Sequence, residues 1–131
     1  MKIRLVKKKL KRCFPRLKST RCHITSPRTT QYNCIAWAAG KTDRWWQPGY
    51  YWPIADQSET IESLVKVFEA LGFVQCAYED RNVEQGCDKV ALYEDKCGYS
   101  HAAKLLDNGL WSSKLGKSYD ISHALPEDVA S

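Results

Sequence analysis

Residues 56–72 read DQSETIESLVKVFEALG, and residues 100–115 read SHAAKLLDNGLWSSKL. These two stretches decide the fold class. In the first, Ile61, Leu64, Val65, Phe68 and Leu71 recur at the spacing of one helical face, and Gly72 closes the run. Asp56 and Glu59 stand three apart, as the N-cap and N3 residues of a capping box do. The spacing predicts an amphipathic helix lying with its apolar stripe on a sheet. In the second stretch, Asp107-Asn108-Gly109 parts two short runs. Asn and Gly accept the positive φ of a tight turn, so the triplet signals a hairpin.

Outward from these, strands are expected over residues 73–78, 89–93, 100–106 and 110–115. Upstream, CIAWAA at residues 34–39 is apolar on all sides, follows Asn33 as N-cap and stops at Gly40. Such a segment predicts a short buried helix. The order is helix, helix, then an antiparallel meander. This is an α+β pattern, with both helices packed on a small antiparallel sheet, rather than an alternation of βαβ units.

A chain of 131 residues fits one domain. Charge divides it sharply. Residues 1–22 carry ten of the twenty Lys and Arg and none of the fifteen Asp and Glu. They read as a basic flexible arm, with residues 23–131 as a mildly acidic domain. The arm reads either as a solvated tail or, through residues 2–21, as a contact for nucleic acid or an anionic membrane surface. It lacks the apolar centre of a secretory signal, and no stretch is long enough to span a bilayer. The expected location is cytoplasmic, unless export follows a route without a cleavable signal. Six cysteines without a CxxC pair point to reduced thiols rather than a zinc site or a disulfide framework. No cofactor or metal is expected.

The chemistry that stands out centres on Cys34. A cysteine in the first turn of a helix gains thiolate character from the helix dipole and free N–H groups. The same N–H groups can hold the oxyanion of a tetrahedral intermediate. His101, at the head of an expected strand, is the candidate base, and Ser113, Asp120 or His123 the candidate orienter of its ring. Against this stands a plainer reading, in which Cys34 is a small hydrophobe in an apolar helix. The aromatic loop also has two readings. Trp45, Trp46, Tyr50, Tyr51 and Trp52 either line a groove for a sugar or peptide or form a lid over the sheet.

The strings YNCIAWAAGKTDRWWQP (residues 32–48), YYWP (50–53), KVALY (89–93), SHAAKLLDNGLWSSKLG (100–116) and DISHALPED (120–128) resemble an uncharacterised bacterial family of small domains. Its recurrent features fall on residues 32–38, 44–53, 111–116 and 121–123. The resemblance covers roughly residues 14–128. It implies a shared fold and carries no established activity. A more distant likeness is to papain-like hydrolases of the NlpC type, which place Cys on a helix start, His at a strand head and a third polar residue one strand later. That order is met by Cys34, His101 and Ser113 or Asp120. The departures are Asn33-Cys34-Ile35, where those enzymes carry Asp-Cys-Ser or Asp-Cys-Gly, and the lack of His, Asn or Gln over residues 110–115.

Two functions follow. One is a thiol hydrolase or acyl transferase acting on an amide or ester, such as a peptide or peptidoglycan-like substrate. The other is a non-enzymatic binding or effector module that uses the Trp/Tyr surface and the basic arm. The distance between Cys34 and His101 discriminates them.

Overall fold

A computed structural model describes residues 2–9, 24–26, 32–41, 44–114 and 120–129. Among the described residues seven strands form one sheet: β1 (Lys2–Lys9), β2 (Ile24–Ser26), β3 (Val74–Cys76), β4 (Cys87–Asp95), β5 (Gly98–Leu105), β6 (Trp111–Lys114) and β7 (Asp120–His123). Their spatial order is β2-β7-β6-β5-β4-β1-β3, and every neighbouring pair is antiparallel. Helices α1 (Cys34–Ala38) and α2 (Ile61–Ala70) pack on one face, and a 3-10 turn (Pro126–Val129) follows β7. The class is α+β.

β1 corrects the reading of the N-terminus. Residues 2–9 are not a loose arm but an inner strand, paired along its length with β4 and on its other side with β3. Leu5 and Val6 are adjacent and both buried, one on each face of the sheet. The acidic partners that the arm lacks come from elsewhere. Lys7 reaches Asp80 at 2.7 Å and Glu84 at 3.4 Å, and Arg4 stands 3.7 Å from Glu94. These contacts hold the Lys7 ammonium above its usual pKa, led by the hydrogen bond to Asp80. The rest of the expected arm, residues 10–22, lies outside the described residues.

The helices form for local reasons. In α1 the Asn33 side chain accepts from the Ala36 N–H at 3.1 Å. Its amide also takes the Trp46 N–H (3.2 Å) and donates to the Trp46 carbonyl (2.7 Å), tying the helix start to the aromatic loop. α2 begins later than the Asp56–Glu59 spacing suggests. Thr60 is its N-cap, while Asp56 closes a local turn by accepting from the Ser58 N–H at 3.1 Å. Asp side chains favour such turns over a distant helix start. Ile61, Leu64, Val65 and Phe68 are buried against the sheet, as their spacing predicts. Gly109, at φ +88°, turns the β5–β6 hairpin, with a 2.8 Å bond from the Leu106 N–H to the Leu110 carbonyl.

Strand alternation sorts the core into two layers. Val6, Val90, Leu92 and Ala102 face α1 and α2. Leu5, Ala91, Tyr93, Ala103 and Trp111 form a second cluster on the opposite face. There the Tyr93 hydroxyl donates to the Pro126 carbonyl, and Arg81 makes a two-pronged bond to Glu127.

Candidate functional site

Cys34 opens α1 and packs with the helix-side cluster. Burial pushes its thiol pKa up, outweighing backbone groups led by Ala102 and the nearby Lys114 ammonium, which pull it down. The surrounding side chains are aromatic and basic. Tyr99 stacks on Trp52 at 5.6 Å, and burial raises its hydroxyl to about 12. Lys114 is fully buried, 5.8 Å from the Tyr32 ring.

His101 leaves β5 on the other face. Its strand neighbour Ala102 faces the helices and Cys34, so His101 points the opposite way, onto the Tyr93 ring at 5.1 Å. No hydrogen bond joins Cys34 to His101, and the backbone of β5 runs between them. The expected dyad is therefore not assembled.

What is assembled is a hydrogen-bonded chain through two of the expected orienters. Ser113 Oγ lies 2.9 Å from His101 Nε2 and 2.7 Å from His123 Nε2, and His123 Nδ1 lies 2.8 Å from the Leu125 carbonyl. A carbonyl only accepts, so His123 donates from Nδ1 and, with both rings neutral, receives the Ser113 hydroxyl proton at Nε2. Ser113 in turn accepts from His101 Nε2–H, and the lone pair of His101 rests on Nδ1. Burial, aided by repulsion from His123, lowers the His101 pKa to about 4. Ser113 is fully buried and cannot meet a substrate itself. Asp120 opens β7 in register with Lys114.

The aromatic loop divides in two. Trp46 and Trp52 are core residues, 3% and 7% exposed, whereas Tyr50 is 81% and Tyr51 36% exposed. Trp45 is half-buried and donates to Gln47. Trp46 and Trp52 thus pack in the helix-side core, and Tyr50 and Tyr51 lie at the surface. Beside them Arg44 lies over the Tyr51 ring at 4.5 Å. Lys41, Arg44, Trp46 and Tyr51 line a shallow, open depression of about 240 Å³. Neither Lys41 nor Arg44 stands out in the sequence, where they read as loop charges.

A cavity of about 510 Å³ lies at the other end of α1 from Cys34. Lys8, Lys41, Lys104, Asp88, Leu71 and Phe73 are among its walls. Burial and the nearby Asp107 raise the Asp88 carboxyl pKa. Cys34, His101 and Ser113 do not line it. Among the described residues no three His, Cys, Asp or Glu side chains gather as metal ligands. Cys34, Cys76, Cys87 and Cys97 are unpaired thiols, and Cys13 and Cys22 lie outside the described residues. No described helix is long and apolar enough to cross a membrane.

Fold and site together define a small α+β domain with two helices on one face of an antiparallel sheet and a partly buried cysteine at a helix start. The chain belongs to the family described as "Domain of unknown function (DUF7689)", whose model matches residues 23–131. β1 precedes that stretch and yet lies inside the sheet. No curated protein and no solved structure matches the chain.

Proposed function

We propose that this domain is a non-enzymatic binding module that meets its ligand through the aromatic and basic loop of residues 41–52. The observation that carries the reading is strand parity: Ala102, not His101, faces Cys34. A thiol hydrolase needs a thiolate with a base in hydrogen-bond reach. Here burial favours the neutral thiol, and the imidazole turns to Ser113 behind the strand. Exposed Tyr50 and Tyr51 supply the flat, amphipathic contact area that protein and glycan partners use.

Site-resolved alkylation with iodoacetamide tests this. At pH 6 Cys34 stays unmodified, its reaction begins only under alkaline conditions, and His101→Ala leaves the rate unchanged. Fast labelling at pH 6 that His101→Ala slows would overturn the reading in favour of a hydrolase.

A further inference from the structure

We infer that the slot between β3 and β4 is a receptor for an extended basic strand and that its partner in trans is β1 of a second copy, so that two molecules pair by exchanging residues 2–9. The inference goes beyond the binding-module reading and uses neither the loop of residues 41–52 nor Cys34.

β1 sits in the fold as a bound peptide does. Its ladder partners are residues 74–76 on one side and 87–94 on the other, all far along the chain. Both walls of the slot fall within the family-matched residues 23–131, and the strand that fills it does not. Among the described residues β3 joins the sheet through β1 alone. Once β1 leaves, β4 presents an open row of N–H and C=O groups, the template on which a strand of another chain adds.

The slot reads side chains as well as backbone. Leu5 enters the cluster of Ala91, Tyr93, Ala103 and Trp111, and Val6 enters the helix-side cluster, so two neighbouring apolar residues are needed, one for each face. Beside them lies a charge cluster. Lys89, in the slot wall and with its side chain 2% exposed, holds Asp80 at 2.6 Å and Glu84 at 3.2 Å. These three side chains alone carry a net negative charge. Lys7 neutralises it, 2.7 Å from Asp80 and 3.4 Å from Glu84. An unmatched charge beside the buried Lys89 is costly, so the slot selects for a cation at this position. Arg4 meets Glu94 at 3.7 Å further along. The order Arg-Leu-Val-Lys of residues 4–7 satisfies all four positions, and a second copy of this chain carries it.

The connection leaves room for exchange. β1 and β2 stand five strand positions apart in the sheet, a span of roughly 24 Å. Residues 10–23, which join them, can reach up to roughly 46 Å. A connection of that length lets β1 close on its own slot or on that of a neighbour. The contacts are the same in both cases, which makes exchange a low-cost route to a dimer. Its competitor is closure within one chain, at an effective concentration on the order of 1 mM.

The reduced full chain is refolded from urea at about 1 µM and at about 1 mM, and both samples are compared at one concentration by size exclusion with light scattering. Monomer is expected from the dilute sample, and from the concentrated one a dimer fraction that survives dilution. A second readout identifies the exchanged strand. Lys7→Glu and Asp80→Lys each unbalance the charge cluster within one chain, in opposite directions, and exchange between the two variants restores the balance in both slots. Refolded together, they should give a one-to-one dimer at least about tenfold more abundant than the dimer of either variant alone, the gain expected for matched charge-assisted hydrogen bonds. The doubly substituted chain Lys7→Glu/Asp80→Lys should behave as the parent. A mixture that forms no dimer, or stays unfolded, while the double variant folds overturns the exchange. Equal dimer in the mixture and in each variant alone also overturns it, because the contact then lies elsewhere. If none of the variants folds, the parent carries the test, and absence of dimer after refolding at about 1 mM overturns the inference.

Discussion

Replacing Leu5 by Ala separates an inner strand from a loose basic arm. Leu5 is 1% exposed and packs with Ala91, Tyr93, Ala103 and Trp111, on the face of the sheet away from the helices. Removing a buried leucine side chain costs about 2–5 kcal/mol, the transfer free energy of the lost methyl groups plus the cavity left behind. The sheet is continuous on both sides of β1, so the site has little freedom to collapse, and a loss of about 3 kcal/mol is expected. Set against the roughly 5–15 kcal/mol that holds a small domain together, this is a large fraction. Urea unfolding followed by tryptophan fluorescence reads it directly. With a slope of about 1–3 kcal/mol per molar urea, the midpoint should fall by roughly 1–3 M. Val6→Ala probes the other face, where Val6 meets the helix-side cluster, and should cost about 2 kcal/mol from its lost methyl groups and the cavity they leave. Lys9→Gln, at the exposed strand end, should change little. A Leu5→Ala midpoint indistinguishable from that of the parent would refute the argument and return residues 2–9 to a detached arm.

Three further outcomes follow from the same geometry. Because the folded His101 pKa lies near 4, below its ordinary 6.5, the unfolded chain binds the proton first as pH falls. Stability should therefore be constant above about pH 6.5 and decline by an order of 3 kcal/mol down to about pH 4. Urea midpoints across that range check this, and a flat profile would contradict it. Gly98→Ala should cost more than about 3 kcal/mol, seen as a large drop in Tm, because a β-carbon there would collide with the Glu59 carbonyl and φ is +128°. Gly109→Ala, at φ +88° with open space around it, should cost only about 1–2 kcal/mol, and equal losses at the two glycines would refute the steric account.

Much of this protein was legible locally. The apolar spacing of α2, the Asn33 cap and the Asp107-Asn108-Gly109 turn are short-range signals, since a helix or hairpin closes its hydrogen bonds between near neighbours. They were enough to place both helices, the β5–β6 hairpin and the α+β class. β1 was not legible, because what makes it a strand is distant. Its ammonium partner Asp80 lies 73 residues from Lys7, and its ladder partners run from Cys87 to Glu94. Nothing within residues 2–9 shows that their charges are matched elsewhere. The candidate site failed at one point for a related reason. Sequence order brought Cys34, His101, Ser113 and His123 into one discussion, and the last three do meet. Whether His101 also meets Cys34 is a question of strand parity, set by the pairing of β5 with β4 and by the irregularity between Tyr93 and Glu94. A register shift of one residue moves a side chain from one face of a sheet to the other. That single-residue choice belongs to the assembled sheet, and it gave Ala102 to the cysteine and His101 to the serine.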